Sequence, residues 1–365
     1  MRILSETIRT VARGRPKLAA SLPEVLLALL VAGNALTARA ANDIELFWKL
    51  TPSILKVEAA NLDGSISIGS GVVVGRGVVA TNCHVTRRAV SIAVTRGSAR
   101  RSVESQFSDV EHDLCLLKAP LADSEPVVAI SPLRPQIGQA VFAVGFINGI
   151  APRVSSGKIE AVYEYDGGKV METSASFTSG ASGGGLFDAE GRLVGIVAFM
   201  SRGAEGARHF CLPASWVAQA VEHFDGHDIA PLDGSPFWQQ PRERQPYFLR
   251  AVALQAERAW PQLADIARRW SFAESDNPSP WVALGTAYAH LDLRSQSIDA
   301  YRTAVAIDGA FAPAWYGLGL AYADDCRPGD AERIHTVLES LDQGLAKALS
   351  RHYAACGSGG GMVGG

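Results

Sequence analysis

Three short segments of this 365-residue chain carry, in order, a histidine, an aspartate and a serine. His84 lies in the run TNCHV, Asp113 directly precedes the apolar run LCLL, and Ser182 lies in the glycine-rich run GASGGG. A serine hydroxyl needs a base to act as a nucleophile at neutral pH, imidazole suits that role, and a carboxylate orients the imidazole. These residue types therefore predict nucleophilic attack on a carbonyl carbon. Taken singly, Ser182 is also explained by a glycine-rich turn, and His84 by a hydrogen-bonded histidine at a strand end.

The sequence around these residues resembles the trypsin-like serine peptidases, and most closely their bacterial HtrA/DegP-type branch. The resemblance covers roughly residues 45–225 and rests on T-N-x-H-V at His84, D-L-x-L-L at Asp113, V-S-S-G-K-I at 154–159 and G-x-S-G-G at Ser182. It implies two packed six-stranded β-barrels with a catalytic triad in the cleft between them. By position, Ser182 is the nucleophile, His84 the general base and then acid, and Asp113 the orienting carboxylate. The amides of Gly180 and Ser182 would form the oxyanion hole.

Two neighbours of Asp113 invite other interpretations. Asp109 is a rival carboxylate, but we prefer Asp113 because an apolar alternation begins directly after it, as it does in the family that the chain resembles. His112 is expected to be an exposed neighbour without a catalytic role.

Substrate-binding residues follow from their offset to the nucleophile in the same family. Phe177 and Met200 would line the primary specificity pocket, which is uncharged and should favour a small or medium apolar side chain. Val197, Ala198 and Phe199 would pair with an extended substrate backbone. The alternative is that Phe177 and Met200 only pack in the core.

Two cysteines flank the predicted catalytic residues. Cys83 precedes His84, and Cys115 follows Asp113 by two residues. If His84 and Asp113 form a hydrogen bond, the two backbones run close enough for a disulfide. We therefore predict a Cys83–Cys115 disulfide that clamps the two segments, with two buried free thiols as the alternative. Cys326 and Cys356 are expected to form a second pair, and Cys211 is expected to be an inert core residue.

The elements that position these residues are short apolar runs bounded by Gly, Asn, Asp and Pro, which predict strands. They lie at 71–75, 78–80, 89–94, 114–117, 140–144 and 193–197. No helical periodicity interrupts them before 214–224, which favours an antiparallel barrel or sandwich followed by one closing helix. With the resemblance, residues 41–228 are expected to form an all-β, double-barrel peptidase domain.

The second half of the chain has a different character. Residues 229–245 are interrupted by prolines and are predicted to be a linker. Beyond them, Trp281 and Tyr288 recur 34 residues later as Trp315 and Tyr322, within a W-x₂-L-G-x₂-Y spacing. This period is typical of tetratricopeptide (TPR) repeats and predicts an all-α, TPR-like domain over 246–355, where the resembled family has PDZ domains. Residues 356–365 are predicted to be a disordered, glycine-rich tail.

Residues 1–40 are predicted to be a signal peptide, with a basic start, the apolar run VLLALLVA and a small-residue cleavage site after Ala40. Its removal makes the chain more acidic than its net charge of −3, which disfavours nucleic acid and anionic membranes as partners. No apolar run is long enough for a permanent spanning helix, although an uncleaved leader would remain as an anchor. All cysteines lie beyond residue 40, where an exported chain meets an oxidising compartment.

Together these features predict an exported, periplasmic serine endopeptidase. It would cleave extended or unfolded protein substrates through an acyl-enzyme, without metal or cofactor, and the TPR groove would bind a protein partner or the substrate. The first alternative is a catalytically silent scaffold or sensor that keeps the peptidase fold and binds protein partners. The second is an intracellular protein whose first residues do not direct export.

Overall fold

The first lobe of the protein is an antiparallel sheet. The computed structural model describes residues 45–203 and 206–358, with side chains described as far as residue 352. A helical turn over 45–50 (α1) leads into strands Ile54–Asn61 (β1), Ile66–Gly75 (β2), Val78–Thr81 (β3), Ala89–Arg96 (β4), Ala99–Ser102 (β5), Ser105–Asp109 (β6) and Leu114–Lys118 (β7). The short helix Cys83–Thr86 (α2) follows β3. Side chains such as Leu55, Val57 and Val73 fill the interior, because successive strand residues point to opposite faces.

The second lobe is a closed barrel. Its strands are Ala140–Ile147 (β8), Ala151–Tyr165 (β9), Gly168–Thr173 (β10), Gly185–Phe187 (β11), Leu193–Gly203 (β12) and Gly206–Pro213 (β13). Within the described residues they pair in the order β10-β13-β12-β11-β8-β9 and close on themselves. Met171, Leu186 and Val197 belong to its interior.

The prediction of two six-stranded barrels is correct for the second lobe and needs correction for the first. As far as the chain is described, the first lobe is a seven-stranded sheet in the order β5-β4-β1-β2-β3-β7-β6. Its edge strands, β5 and β6, are joined by only two residues. The Val103 amide donates to Ile92 in β4, and the Glu104 amide donates to Lys118 in β7. The segment 99–109 is therefore bent at this junction into two strands, β5 and β6, where a six-stranded barrel would have one. The sheet curls until its two edges meet at this bend.

Helices follow the second lobe. They are Ala214–Glu222 (α3), Tyr247–Ala256 (α4), Trp260–Ala273 (α5), Ser279–His290 (α6), Arg294–Ile307 (α7), Ala312–Asp324 (α8), Pro328–Leu341 (α9) and Gln343–Ser358 (α10). None of the helices within 45–203 and 206–358 has the length and hydrophobicity to cross a bilayer. The predicted signal peptide at 1–40 and tail residues 359–365 lie outside the described residues, whereas α10 continues through 356–358.

One apolar core joins the second lobe to the helices. Phe210 of β13, Phe237 and Phe248 of α4 belong to the same buried cluster, and the described residues from Leu46 onward form one compact unit. The segment 229–245, predicted as a linker, contains 3₁₀ turns at Phe237–Gln239 and Arg242–Arg244, and Phe237 is only 1% exposed. This segment is thus packed between β-strands and helices.

Candidate active site

His84 and Asp113 form a directly bonded pair. His84 lies in α2, and Asp113 lies in the turn between β6 and β7, at a φ of 60°. Asp113 Oδ2 is 2.7 Å from His84 Nδ1, and Asp113 Oδ1 accepts the His84 amide at 2.8 Å. The carboxylate is fully buried, whereas the imidazole side chain is 20% exposed. Because Nδ1 faces a carboxylate, it carries the proton, which leaves Nε2 free to accept one.

The backbone around Asp113 is fastened to the segment that carries His84. The Asp113 carbonyl accepts the Cys83 amide at 3.2 Å and Asn82 Nδ2 at 3.0 Å. Cys83 and Cys115 form a disulfide with their Cα atoms 5.0 Å apart, so the predicted disulfide is confirmed. It links α2, which contains His84, to β7, which begins directly after Asp113.

The remaining cysteines lie away from this pair. Cys211 is a buried free thiol, and burial raises its pKa, as expected of an inert core residue. Cys326 is exposed and unpaired among the described residues. The side chain of Cys356 lies outside them, so the pairing of Cys326 with Cys356 stays a prediction.

Ser182 lies beside the segment that carries His84. The Ser182 carbonyl accepts the Ser70 amide at 2.7 Å, and a Cβ atom on Gly69 would lie 2.7 Å from the Val85 methyl groups and 3.0 Å from the Ser182 carbonyl oxygen. Only a glycine-sized gap therefore separates the Ser182 backbone from the residue after His84. The Ser182 hydroxyl donates to the Ala198 carbonyl at 3.1 Å, so its hydrogen bond is made to β12 and not to the imidazole.

Two backbone amides of the serine loop have no hydrogen-bond acceptor among the described residues. Among the described residues, the amides of Ala181, Gly183 and Gly184 each donate to a backbone carbonyl, whereas those of Gly180 and Ser182 have no acceptor. The Ser179 carbonyl is bonded to the Asn148 amide, and the Ala181 carbonyl to the Gly184 amide. In a trans peptide the C=O and N–H groups point in opposite directions. The Gly180 amide therefore points away from Asn148, and the Ser182 amide points away from the Gly184 amide. The pair matches the donors predicted for an oxyanion hole.

Ser70 is a site residue that the sequence analysis did not assign. It is fully buried, its hydroxyl donates to the Gly180 carbonyl at 2.7 Å, and it accepts the Phe146 amide at 2.8 Å. Ser70 therefore ties the loop before Ser182 to both lobes. The available signal was a polar residue between two glycines, Gly69 and Gly71, directly before the apolar run VVV.

A cavity of about 220 Å³ adjoins the serine loop. Phe177 and Val197 line it, as do Ala181 and the exposed Arg153. Met200, predicted to line this pocket, is absent from its wall and pairs with His209 of β13. The Phe177 ring meets the His209 ring edge-on at 4.7 Å, and burial lowers the pKa of His209, which favours its neutral form.

Trp238 reaches the buried carboxylate from the segment predicted as a linker. Its Nε1 donates to Asp113 Oδ2 at 3.1 Å, and its ring meets the His84 ring edge-on with centroids 5.5 Å apart. The other neighbour of the indole is Phe199, stacked on it at 4.8 Å. Phe199 and Ala198 do not line the cavity. No sequence signal marked Trp238, because 125 residues separate it from Asp113.

Asp109 and His112 form a pair of their own. His112 Nδ1 lies 2.7 Å from Asp109 Oδ2, and its ring packs on Trp216 at 4.2 Å. The prediction that His112 is exposed is wrong, since its side chain is 16% exposed in this packing. Burial opposes the charged imidazolium, but the contacts with Asp109 and Asp166 together outweigh it, so the pKa of His112 is raised. Asp109 is thus engaged away from His84.

The part of the chain that the structure describes holds no group of three or more His, Cys, Asp or Glu side chains suited to a metal ion.

The sequence around this site is similar to known proteins. Residues 69–196 match the model of the trypsin-like peptidase domain. The anti-sigma-I factor RsgI9 of Acetivibrio thermocellus is 31% identical over 169 residues, 45% of this chain and 23% of that protein. A probable periplasmic serine endoprotease, DegP-like, of Halomonas elongata is 31% identical over 137 residues, 36% of this chain and 29% of that protein.

A crystal structure of the serine endoprotease from Yersinia pestis shares 29% identity and covers 49% of this chain and 64% of its own, with a TM-score of 0.44. The chain spans less than a third of the length of the two relatives named above. Residues 69–196 are thus similar to the trypsin-like peptidase domain, and the relatives of the chain include a DegP-like serine endoprotease.

Proposed function

We propose that this protein is a serine endopeptidase that uses Ser182, His84 and Asp113 as its catalytic triad. The observation that carries the proposal is the bond between His84 Nδ1 and the fully buried Asp113 carboxylate. This bond leaves Nε2 as a proton acceptor on the partly exposed side of the imidazole. Ser182 lies beside it in a glycine-rich loop, where the amides of Gly180 and Ser182 have no acceptor among the described residues.

The chemistry requires one side-chain rotation. The Ser182 hydroxyl leaves the Ala198 carbonyl, turns toward His84 Nε2 and transfers its proton there as Oγ attacks the substrate carbonyl carbon. The amides of Gly180 and Ser182 then stabilise the oxyanion. His84 passes the proton to the leaving amine, and water hydrolyses the acyl-enzyme with His84 again as the base. Asp113 holds the imidazole and stabilises its charged form throughout.

The proposed substrates are extended or unfolded polypeptides. The pairing of β12 with β13 shifts register between Val197 and Phe199, which leaves Ala198 outside the regular ladder. The backbone around Ala198 is therefore suited to pairing with an extended chain. The cavity lined by Phe177 and Val197 suits a small apolar side chain before the cleaved bond. Arg153, which is charged and exposed, also lines this cavity.

The proposed helical partner domain consists of TPR-like repeats. Gly285 and Gly319 are the glycines of the two W-x₂-L-G-x₂-Y segments. A Cβ on Gly285 would lie 2.8 Å from the Tyr301 ring, and a Cβ on Gly319 would lie 2.5 Å from Leu349, so a side chain would clash at both. Such close helix packing is what the W-x₂-L-G-x₂-Y spacing predicts. The repeats would recruit a protein partner or the substrate, and the Cys83–Cys115 disulfide favours an exported, periplasmic location.

Cleavage of an unfolded polypeptide tests the proposal. Purified protein is incubated with reduced, carboxymethylated lactalbumin, and the products are sequenced by mass spectrometry. We expect internal cuts after small apolar residues in the wild type and at least a thousandfold lower rate in Ser182→Ala. Ser340→Ala, at an exposed serine of α9, is the matched control and keeps more than half of the activity. Equal cleavage by the wild type and Ser182→Ala would overturn the proposal.

The scaffold or sensor alternative is favoured by one observation, the hydrogen bond of the Ser182 hydroxyl to Ala198. If that bond persists when a peptide binds, the protein binds extended chains without cleaving them. Fluorescence anisotropy with a labelled unfolded peptide then shows binding to the wild type, whereas an activity-based fluorophosphonate leaves the folded protein unmodified. Modification of the wild type excludes this alternative.

A further inference from the structure

The buried Asp113 carboxylate has donors on both of its oxygens. Oδ1 accepts the His84 amide, and Oδ2 accepts both His84 Nδ1 and Trp238 Nε1. A carboxylate without solvent depends on such bonds to remain charged. Within the described residues, the indole N–H is the one donor to the Asp113 carboxylate that does not come from His84. It fixes the rotation of the carboxyl group that in turn fixes the imidazole.

The indole also forms part of the surface beside the imidazole. One face of Trp238 stacks on Phe199 of β12, and its ring meets His84 edge-on, yet the side chain is only partly buried. A chain that pairs with β12 near Ala198 therefore passes this ring. Trp238 thus contacts both the catalytic pair and the proposed path of the substrate.

Three contacts hold the indole in place. The Phe237 amide donates to the Glu111 carbonyl at 2.9 Å, in the turn that carries Asp113. Gln245 Nε2 donates to the Trp238 carbonyl at 3.0 Å. Phe237 is buried against Phe248 of α4, with ring centroids 6.4 Å apart. The helical part of the chain therefore sets where Trp238 lies.

We propose that Trp238 is a positioning residue for Asp113 and His84 and, through its partly exposed ring, an apolar wall of the substrate path. The inference rests on the proposed peptidase function. It makes the segment after the β-strands part of the catalytic apparatus, so the peptidase lobes cut off before residue 237 lack one of the groups that orient the triad.

Two substitutions separate the positioning role from the wall. Trp238→Phe keeps an aromatic wall and removes the N–H group, and 3-benzothienylalanine at position 238 keeps the whole ring shape and replaces N–H by sulfur. We expect each to lower kcat about tenfold, the worth of one hydrogen bond to a charged group, with KM changed less than about twofold. Trp238→Ala removes the wall as well, so its KM rises in addition to the loss of kcat.

The matched control is Trp315→Phe, which removes an indole N–H bonded to the Gly309 carbonyl at 2.8 Å in the helical part. It keeps the wild-type kcat and KM. Wild-type protein that neither cleaves peptide nor reacts with a fluorophosphonate contradicts the proposed function itself. Active wild-type protein together with unchanged kcat in the benzothienylalanine variant, which has the native shape and therefore folds, overturns the role of Trp238 alone.

Discussion

At the scale of single residues, Gly183 shows how closely the serine loop is packed. It follows Ser182 with a φ of +86°, and a Cβ atom there would lie 2.1 Å from the Ser70 carbonyl oxygen and 2.4 Å from Thr81 Oγ1. Both the backbone conformation and the available space therefore require glycine. Gly167, in the turn between β9 and β10, has a similar φ of +71° but nothing within 4 Å of its Cβ position.

This contrast predicts different costs for the same substitution. Gly183→Ala should lower the free energy of unfolding by more than about 3 kcal/mol, because steric overlap adds to backbone strain. Gly167→Ala should lower it by only about 1 kcal/mol, the strain alone. Urea denaturation followed by circular dichroism measures both. Equal losses in the two variants would contradict the placement of Gly183 against Ser70.

His112 offers a second residue-scale prediction, on pH dependence. Its pKa is raised in the folded protein from an ordinary value near 6.5, because its bonds to Asp109, together with the nearby charge of Asp166, outweigh the effect of burial. Its Nε2 is also 2.8 Å from Asp166 Oδ2, although without hydrogen-bond geometry. A raised folded pKa stabilises the protein fully below the unfolded value, and this stabilisation is lost as pH rises through the folded value.

We therefore expect the free energy of unfolding of the wild type to fall relative to that of His112→Asn as pH rises from 6 through the raised pKa. Urea titrations at pH 6, 7 and 8 measure the difference between the two proteins. His223→Asn, at an exposed histidine of the chain, is the control and follows the wild type. A wild type and His112→Asn with parallel pH dependence would show that the His112–Asp109 pair does not stabilise the fold.

At the scale of elements, the disulfide joins α2 to β7 at the point where they carry the proposed base and its carboxylate. Cys83 and Cys115 are separated by 32 residues and are both fully buried. The bond restricts the unfolded chain and keeps the two segments in register. Its removal should therefore affect stability first, and the His84–Asp113 geometry through it.

The double variant Cys83→Ser, Cys115→Ser should lose about 3 kcal/mol of unfolding free energy, the typical worth of a disulfide that closes a loop of this length. Cys326→Ser, at an exposed thiol, is the control and should change it by less than about 0.5 kcal/mol. Thermal unfolding with and without a reducing agent gives a second measurement. A wild type insensitive to reduction would contradict the clamp.

The elements also show what sequence patterns can and cannot predict. Each apolar run predicted as a strand lies in a strand, because β-branched residues in a buried sheet give a strong local signal. The strand β9, Ala151–Tyr165, is not among the predicted strands although it contains the VSSGKI motif, since its polar and half-exposed residues hide the alternation. The bend at 103–104 depends on bonds to Ile92 and Lys118 that local sequence does not encode.

At the scale of the whole molecule, the predicted linker is where sequence reasoning fell short. Prolines at 231, 236 and 241 indicate irregular chain, which is correct, but they do not show what that chain packs against. Phe237 and Trp238 are anchored by α4 and by the Asp113 turn, and the contacts with that turn span more than a hundred residues. The residues of the proposed triad were accessible from sequence because each lies in a short motif, and Trp238 was not because it lies in none.

This packing predicts that the helices and the peptidase lobes unfold together. Phe248 of α4 stacks on Tyr163 of β9 at 4.7 Å and is 2% exposed. Phe248→Ala should cost about 3–5 kcal/mol, as for other buried aromatic side chains, and should shift a single calorimetric transition. Phe272→Ala, at a side chain 89% exposed, is the matched control with little effect. Two transitions of which only one moves would contradict the shared core.

The central claim is that Ser182 is a nucleophile activated by the His84–Asp113 pair. Reaction with a fluorophosphonate, followed by digestion and mass spectrometric mapping, tests it most directly. We expect one phosphonyl group per chain, on the peptide that contains Ser182, and its loss in His84→Ala although the serine is still present. An adduct on another residue, or equal modification of the wild type and His84→Ala, would contradict it.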